Sequence, residues 1–155
     1  MRLLNNWGLR LAFAAWVAVI ASATVPWTDF VGHSHWQKVQ WIPFRSPPVR
    51  LLDIVGNVAL YVPLGYLFVR SATQRGHVWH AVALAGIVSF AIEWSQVYSH
   101  MRFPSAQDVL CNVCGAWGGA SWAGRQQARR SADPQSSAAV EKGDGCILSP
   151  DVSRR

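Results

Sequence analysis

Charge is what this sequence has least of. Only 14% of its 155 residues are Asp, Glu, Lys or Arg, against about 25% in soluble proteins. Acidic residues are scarcer than basic ones, eight against fourteen, which leaves a formal charge of +6. A basic balance can point to nucleic acid. Here Lys and Arg lie between and after apolar stretches instead of forming one patch, so no nucleic-acid partner is expected. Cysteine is equally sparse, at Cys111, Cys114 and Cys146. An odd number gives no complete disulfide framework. With no second Cys pair, Cys111-x-x-Cys114 lacks the ligands of a zinc site, and the two read as small buried thiols on a helix. No nucleophile elbow, zinc signature or phosphate loop occurs in the chain. The polar stripe that each helix of a soluble bundle carries is missing too.

Apolar residues are what the chain has in quantity, 51% of the total with nine Trp among them. They concentrate in four stretches, 11–28, 54–69, 76–92 and 109–124. A bilayer core takes about 20 helical residues, so the shorter runs must recruit their polar ends. The expectation is an all-α membrane protein: a bundle of four transmembrane helices, about 9–28, 51–69, 76–96 and 108–124, forming one domain over 1–124. A disordered cytoplasmic tail should follow over 125–155, where Ser, Gly, Pro and charges dominate. The first stretch has a second reading. Arg2 and Arg10 precede an apolar run, and Ala21-Ser22-Ala23 fits a signal-peptide cleavage site. The run continues through Val25, Pro26 and Trp27, long enough to span, which favours a retained helix.

Orientation follows from Lys and Arg near the helix ends. With the N-terminus inside, Arg2, Arg10, Arg70, Arg75, Arg125, Arg129 and Arg130 are cytoplasmic, and Lys38, Arg45, Arg50 and Arg102 are external. The bias favours N-in and C-in. The first external loop, about 29–50, has Trp36, Trp41, Pro43, Pro47 and Pro48 and reads as irregular, lying at the interface.

On that topology the intramembrane polar residues converge. Asp53 and Asn57 lie at the outer end of the second helix, Glu93 and Gln96 at that of the third, and Asp108 and Asn112 at that of the fourth. Arg102 sits in the short loop between the last two. The spacings i, i+4 and i, i+3 put each pair on one helix face. The fourth-helix face continues through Gly115 and Gly119, a small-xxx-small pair suited to close helix approach. The third-helix face continues back through Ser89 and Gly86. Ionisable groups are costly against lipid, so this set should face the bundle interior or a water-filled pocket. Asp53-Ile-Val-Gly-Asn57-Val58 also repeats as Asp108-Val-Leu-Cys-Asn112-Val113, each after an Arg-x-Pro, Arg45-Ser-Pro47 and Arg102-Phe-Pro104.

A structural role competes with a functional one. Asp53 and Asp108 suit helix N-termini, where the dipole favours an anion, and Asn57 and Asn112 suit interhelical hydrogen bonding. Glu93 sits at a helix C-terminal end, where the dipole disfavours it, so Arg102 is its expected partner. Pro63 and Gly65 are expected to kink the second helix. His33, His35 and His100 fall on the external side, and the His33-x-His35 pair could bind a metal with a nearby carboxylate. Interfacial histidines are the commoner outcome, for these and for His77 and His80, and no metal or cofactor is expected.

Asp53, Asn57, Tyr61-Val-Pro63-Leu-Gly65, Glu93-x-x-Gln96, Arg102, Ser105-x-x-Asp108, Asn112-x-x-Gly115 and Gly118 together resemble the VanZ-like membrane protein pattern over about 45–124. Tyr61 stands where that family more usually has Phe. The resemblance implies a multi-pass protein of the bacterial inner or cytoplasmic membrane. The family's namesake is associated with resistance to teicoplanin, a glycopeptide acting on cell-wall precursors outside the membrane. Fold alone does not carry function across. The favoured expectation is a non-enzymatic protein that binds or screens an envelope ligand through Asp53, Asn57, Glu93, Gln96, Arg102, Asp108 and Asn112. Its partners would be membrane lipids, a lipid-linked cell-wall precursor or a glycopeptide, and a homo-oligomer is allowed. The competing expectations are a membrane enzyme with Glu93 and Asp108 as acid and base and Arg102 holding an anionic group, and a small transporter or scaffold.

Overall fold

The computed structural model describes residues 2–45, 51–72 and 78–132. Pro47, Pro48, Arg50, Arg75, His77 and Cys146, and the expectations attached to them, lie outside these residues. Four α-helices are present: α1 Arg2–Thr24, α2 Leu51–Ser71, α3 Val78–Gln96 and α4 Ala106–Ser131. Among the described residues there is no strand, only two isolated bridges, Phe30 with Ser99 and Gln40 with Ser105. Three helices, α1 to α3, are long and apolar enough to cross a membrane. The chain is a multi-pass membrane protein. Large apolar side chains such as Leu11, Leu52, Ile87 and Trp79 are exposed along these helices, a surface that water would not tolerate and lipid does.

The chain divides into two units, 1–124 and 125–155. Within the second, helix α4 runs on to Ser131. Gln126, Gln127 and Ala128 are good helix formers, and Arg129 and Arg130 in the last turn complement the negative end of the dipole.

Helix α1 begins at Arg2 and stops at Thr24, earlier at both ends than the apolar run implied. Pro26 explains the stop, because it drives Val25 towards extended backbone. The end is sealed by side chains: Thr24 Oγ1 donates to the Ile20 carbonyl at 2.7 Å, and Trp27 Nε1 donates to that of Ala21 at 3.0 Å. Both carbonyls belong to the last turns of the helix, and that of Ala21 also accepts from the Val25 N–H at 3.1 Å. Helix α1 is a packed member of the bundle. Ile20 is 1% exposed in a core cluster with Tyr61, Leu64 and Ala116, and Trp16 Nε1 donates to the Leu60 carbonyl at 2.8 Å. Cleavage at Ala21-Ser22-Ala23 would pull a core side chain out.

Helices α2 and α4 meet backbone to backbone. A Cβ on Gly115 would collide with the carbonyl of Val58, one on Gly119 with that of Val62, and one on Gly65 with that of Ala116. The contacts at 58 and 115 and at 62 and 119 advance together, so the two helices run parallel, as the repeated Asp-xxx-Asn segment requires. Pro63 lies inside α2, which continues through it. The carbonyl of Ala59 loses its ordinary i+4 donor there.

The segment from Phe30 to Gln40 lies along the α3–α4 loop. Val31 N donates to Tyr98 O at 2.9 Å, His35 N to Val97 O at 2.9 Å, Gln40 N to Pro104 O at 2.8 Å, and Ala106 N to Gln40 O at 3.0 Å. Phe44, which adopts a left-handed backbone with φ 60°, donates its N–H to Gln107 Oε1 at 3.1 Å.

Candidate functional site: a polar cavity at one end of the bundle

Alternating helix directions bring the C-terminal ends of α1 and α3 beside the N-terminal ends of α2 and α4. A cavity of about 520 Å³ opens there. Asp53, Asn57, Glu93, Gln96, Arg102, Asp108 and Asn112 all line it. Their exposure grades from rim to floor. Asp53 and Arg102 are exposed, Asn57, Glu93 and Asp108 are half-buried, and Gln96 and Asn112 are buried.

The floor is held by polar contacts between helices. Asn112 Nδ2 donates to Ser89 Oγ at 2.8 Å, joining α4 to α3. Gln96 Nε2 donates to the Thr24 carbonyl at 3.0 Å, joining α3 to α1. Asn57 is hydrogen-bonded to the Asp108 carboxylate, and Asp53 faces the same group. The structural and functional readings of Asn112 are therefore compatible: its amide nitrogen holds α3, while its Oδ1 is buried with no hydrogen-bond partner. The Tyr61 hydroxyl is buried at the same wall, facing Ser89. A buried acceptor left open at a cavity wall, as Asn112 Oδ1 is, is costly unless something completes it.

The expected partner of Glu93 is corrected. Its Oε2 accepts from the Ser105 backbone N–H at 2.7 Å, while Arg102 Nη2 reaches the Ala23 carbonyl at 3.4 Å. The α3–α4 loop turns Ser105 back over the end of α3. A fixed amide on that loop thereby replaces a mobile guanidinium as the donor. Arg102 still acts on Glu93 through space, as does Asp108. Three carboxylates and one guanidinium thus face one space.

Two of the lining residues with polar side chains escaped the sequence reading as site residues. Tyr61 extends the Asp53, Asn57 series by another i+4 step, a signal that was present. Thr24 belongs to α1, and no spacing within one helix could have tied it to the other three.

Beside the cavity lies an apolar groove of about 400 Å³, walled by Trp36, Trp41, Phe90, Trp94, Val109 and Leu110. Trp36 stacks on Trp41 with centroids 6.4 Å apart and meets the edge of Trp94 at 5.0 Å. Glu93 lines both spaces, and Ser105, its hydrogen-bond partner, lines the groove.

Outside the helices, the loop layer has its own polar cluster. Asp29 Oδ2 accepts from Ser99 Oγ and from Met101 N, the latter at 2.8 Å. The Ser99 hydroxyl bond, foremost, and the Met101 amide hold the Asp29 carboxyl below its ordinary pKa. His35 is 5% exposed, and burial, helped by the positive charge of Lys38, pushes its imidazole below the ordinary histidine value. Cys111 is buried and Cys114 exposed, both as free thiols.

The VanZ/LLP1 family model matches residues 8–123 of the chain. No curated protein and no solved structure matches it.

Proposed function

This chain belongs to the VanZ/LLP1 family, and from that premise we propose that it binds an amphiphilic cell-envelope ligand at the outer face of a bacterial cytoplasmic membrane. A lipid-linked cell-wall precursor or a glycopeptide bearing an acyl chain has the required chemistry. The observation that carries this reading is the shared wall. A polar cavity and a tryptophan-lined groove adjoin at Glu93, which matches a ligand with a polar head and an apolar tail. The head would be read by Asp53, Asn57, Arg102 and Asp108 at the rim and by Gln96 and Asn112 below. The unpartnered Asn112 Oδ1 leaves hydrogen-bonding capacity for it.

The outward placement rests on the Lys and Arg bias, seven on the side of the N-terminus against four on the cavity side. It also needs α4 to cross as a fourth span. The mean hydropathy of α4 is low because Gln107, Asp108 and Asn112 begin it and Arg125, Gln126, Gln127, Arg129 and Arg130 end it, while Gly115, Ala116 and Gly119 between them pack on α2, a composition that close helix packing in membranes favours. Labelling of single cysteines at 53, 57, 93, 96, 102, 108 and 112, in a background without native Cys, should occur from outside. Labelling only from the cytoplasm would remove the outward reading.

Binding is tested with the full chain in nanodiscs. Wild type should bind a lipid-linked precursor or an acylated glycopeptide, and Asp53→Asn or Asp108→Asn should each weaken it about 3- to 10-fold, equivalent to about 0.7–1.4 kcal/mol. The losses are partial because several groups share the head. No binding by wild type to any envelope amphiphile tried would sink the proposal.

One observation favours a second reading, a membrane enzyme. Glu93 and Asp108 line one cavity in different surroundings, the first bonded to a backbone amide and the second to Asn57, and unlike surroundings can divide acid from base. Full complementation by a Glu93→Gln, Asp108→Asn double variant would exclude it.

A further inference from the structure

Two histidines of the first loop and one of the α3–α4 loop, 65 residues away from His35, meet in the loop layer. His35 Nε2 and His100 Nδ1 are 2.9 Å apart. The ring of His33 lies 4.6 Å from that of His35 and 5.3 Å from that of His100, centre to centre. One ring nitrogen from each residue falls within 4.8 Å of the other two. Tetrahedral zinc holds its nitrogens at about 2.0–2.1 Å, which puts neighbouring ligand atoms about 3.3 Å from one another. His33 and His100 are exposed and His35 is buried, so the first two have room to turn their rings towards a shared ion.

We propose that His33, His35 and His100 form a site for a divalent transition metal of the zinc class, with its fourth position open to an external ligand. Three imidazoles suit zinc, copper or nickel, and three protein ligands with an open position are the pattern of an accessible metal site rather than a closed structural one.

The backbone already fixes the three in place. His35 N is bonded to Val97 O, Val31 N to Tyr98 O, and Phe30 bridges Ser99, so the two loops are registered before any ion arrives. His35 Nε2, the nitrogen that faces His100, is the one that would coordinate, and His35 Nδ1 makes no hydrogen bond that would turn the ring away from it. The Asp29 carboxylate, held by Ser99 and Met101, acts through space on both His35 and His100 and supplies negative charge that favours a cation. Lys38 works the other way. Its ammonium donates to the His100 carbonyl at 3.0 Å and repels a cation.

The consequence for the fold is a clip. The metal would join the first loop to the stretch carrying Met101, Arg102 and Phe103, which line the polar cavity. The site itself does not depend on what that cavity binds.

The test uses the full chain in detergent, purified through a tag free of histidine, stripped with chelator, and titrated with zinc. One zinc per chain is expected. Removing an outer-shell partner alone costs a metal site about 10–100-fold, so His33→Ala and His100→Ala, both at exposed positions, should each weaken zinc by at least about 10-fold while helical circular dichroism is unchanged. Lys38→Ala should tighten it. X-ray absorption should show imidazole nitrogen around the metal. Sulfur ligation, unchanged affinity in the His33→Ala, His100→Ala double variant, or no stoichiometric zinc in wild type would each overturn the proposal. Replacing Cys111, Cys114 and Cys146 by Ser should leave affinity intact, and its loss in that variant would assign the zinc to the thiols instead.

Discussion

Helices α2 and α4 behave in opposite ways along one shared line. From Val58 and Gly115 onward they touch through backbone atoms. Towards their N-termini, Asp53, Asn57 and Asp108 line a cavity of about 520 Å³. Direction, neighbours and parallel alignment are common to both stretches. What changes is side-chain size and polarity. Glycine at every fourth residue removes the atoms that would keep the helices apart, and dispersion between backbones then favours contact, the main attraction available where lipid is as apolar as the protein. Carboxylates reverse this: Asp53 and Asp108 repel one another, and only the Asn57 amide bridges to Asp108, so the helices meet there through polar side chains and not through backbone. The same pair of helices is thus a seam at one level and a site at the next.

The sharpest way to break the comparison is to put one atom into the seam. A Cβ on Gly119 meets the Val62 carbonyl, which cannot swing away, whereas a Cβ on the adjacent Gly118 meets nothing within 4 Å. Gly119→Ala should destabilise the bundle by about 3 kcal/mol, the upper range for overpacking. Gly118→Ala should be neutral or stabilising, up to the roughly 1 kcal/mol by which Ala exceeds Gly in helices. Unfolding in detergent, followed by circular dichroism on both variants, gives the difference directly. Equal effects would mean that the seam is not as close as described.

The seam and the cavity were largely legible in the sequence, and for one reason. Both depend on which residues share a helix face, and that is fixed by 3.6 residues per turn. Asp53 with Asn57, Asp108 with Asn112, and Gly115 with Gly119 needed only counting. What was not legible depends on loops. Glu93 was matched to Arg102 by charge, but the loop from Val97 to Ser105 chooses its path by backbone bonds to Val31, His35 and Gln40, and that path delivers the Ser105 amide instead. Nothing local announces Asp29 as the acceptor for Ser99 and Met101, or His100 as the neighbour of His35. Thr24 entered the cavity wall through the packing of α1, which a pattern confined to three helices could not reveal.

A smaller effect is expected at the boundary between seam and cavity, where Asn112 donates to Ser89. Asn112→Ala removes a buried interhelical bond of a kind worth about 0.6–2 kcal/mol in membranes. It also removes the unpartnered Oδ1, which offsets part of the loss. A net destabilisation of about 1 kcal/mol or less is therefore expected, with Ser89→Ala costing as much or more, because it leaves the Asn112 amide buried with neither bond. A double-mutant cycle in detergent separates the two: coupling near zero would mean that the amide serves the cavity alone.

The smallest effect on the bundle belongs to the loop layer. Asp29 ties the first loop to Ser99 and Met101 but touches neither the glycine seam nor the cavity floor. Asp29→Ala should leave the helical unfolding transition where it is, because the bonds it removes are made outside the helices. It should instead speed amide exchange at Met101, which loses its carboxylate acceptor, and at Val31 and His35, whose bonds to Tyr98 and Val97 depend on the same loop register. Exchange confined to these positions would show that the layer over the cavity opens as its own unit, with a stability separate from that of the helices beneath it. If the helical transition fell together with loop protection, layer and bundle would be one cooperative structure, and the distinction between a closed seam and an adjustable site would extend only as far as the cavity rim.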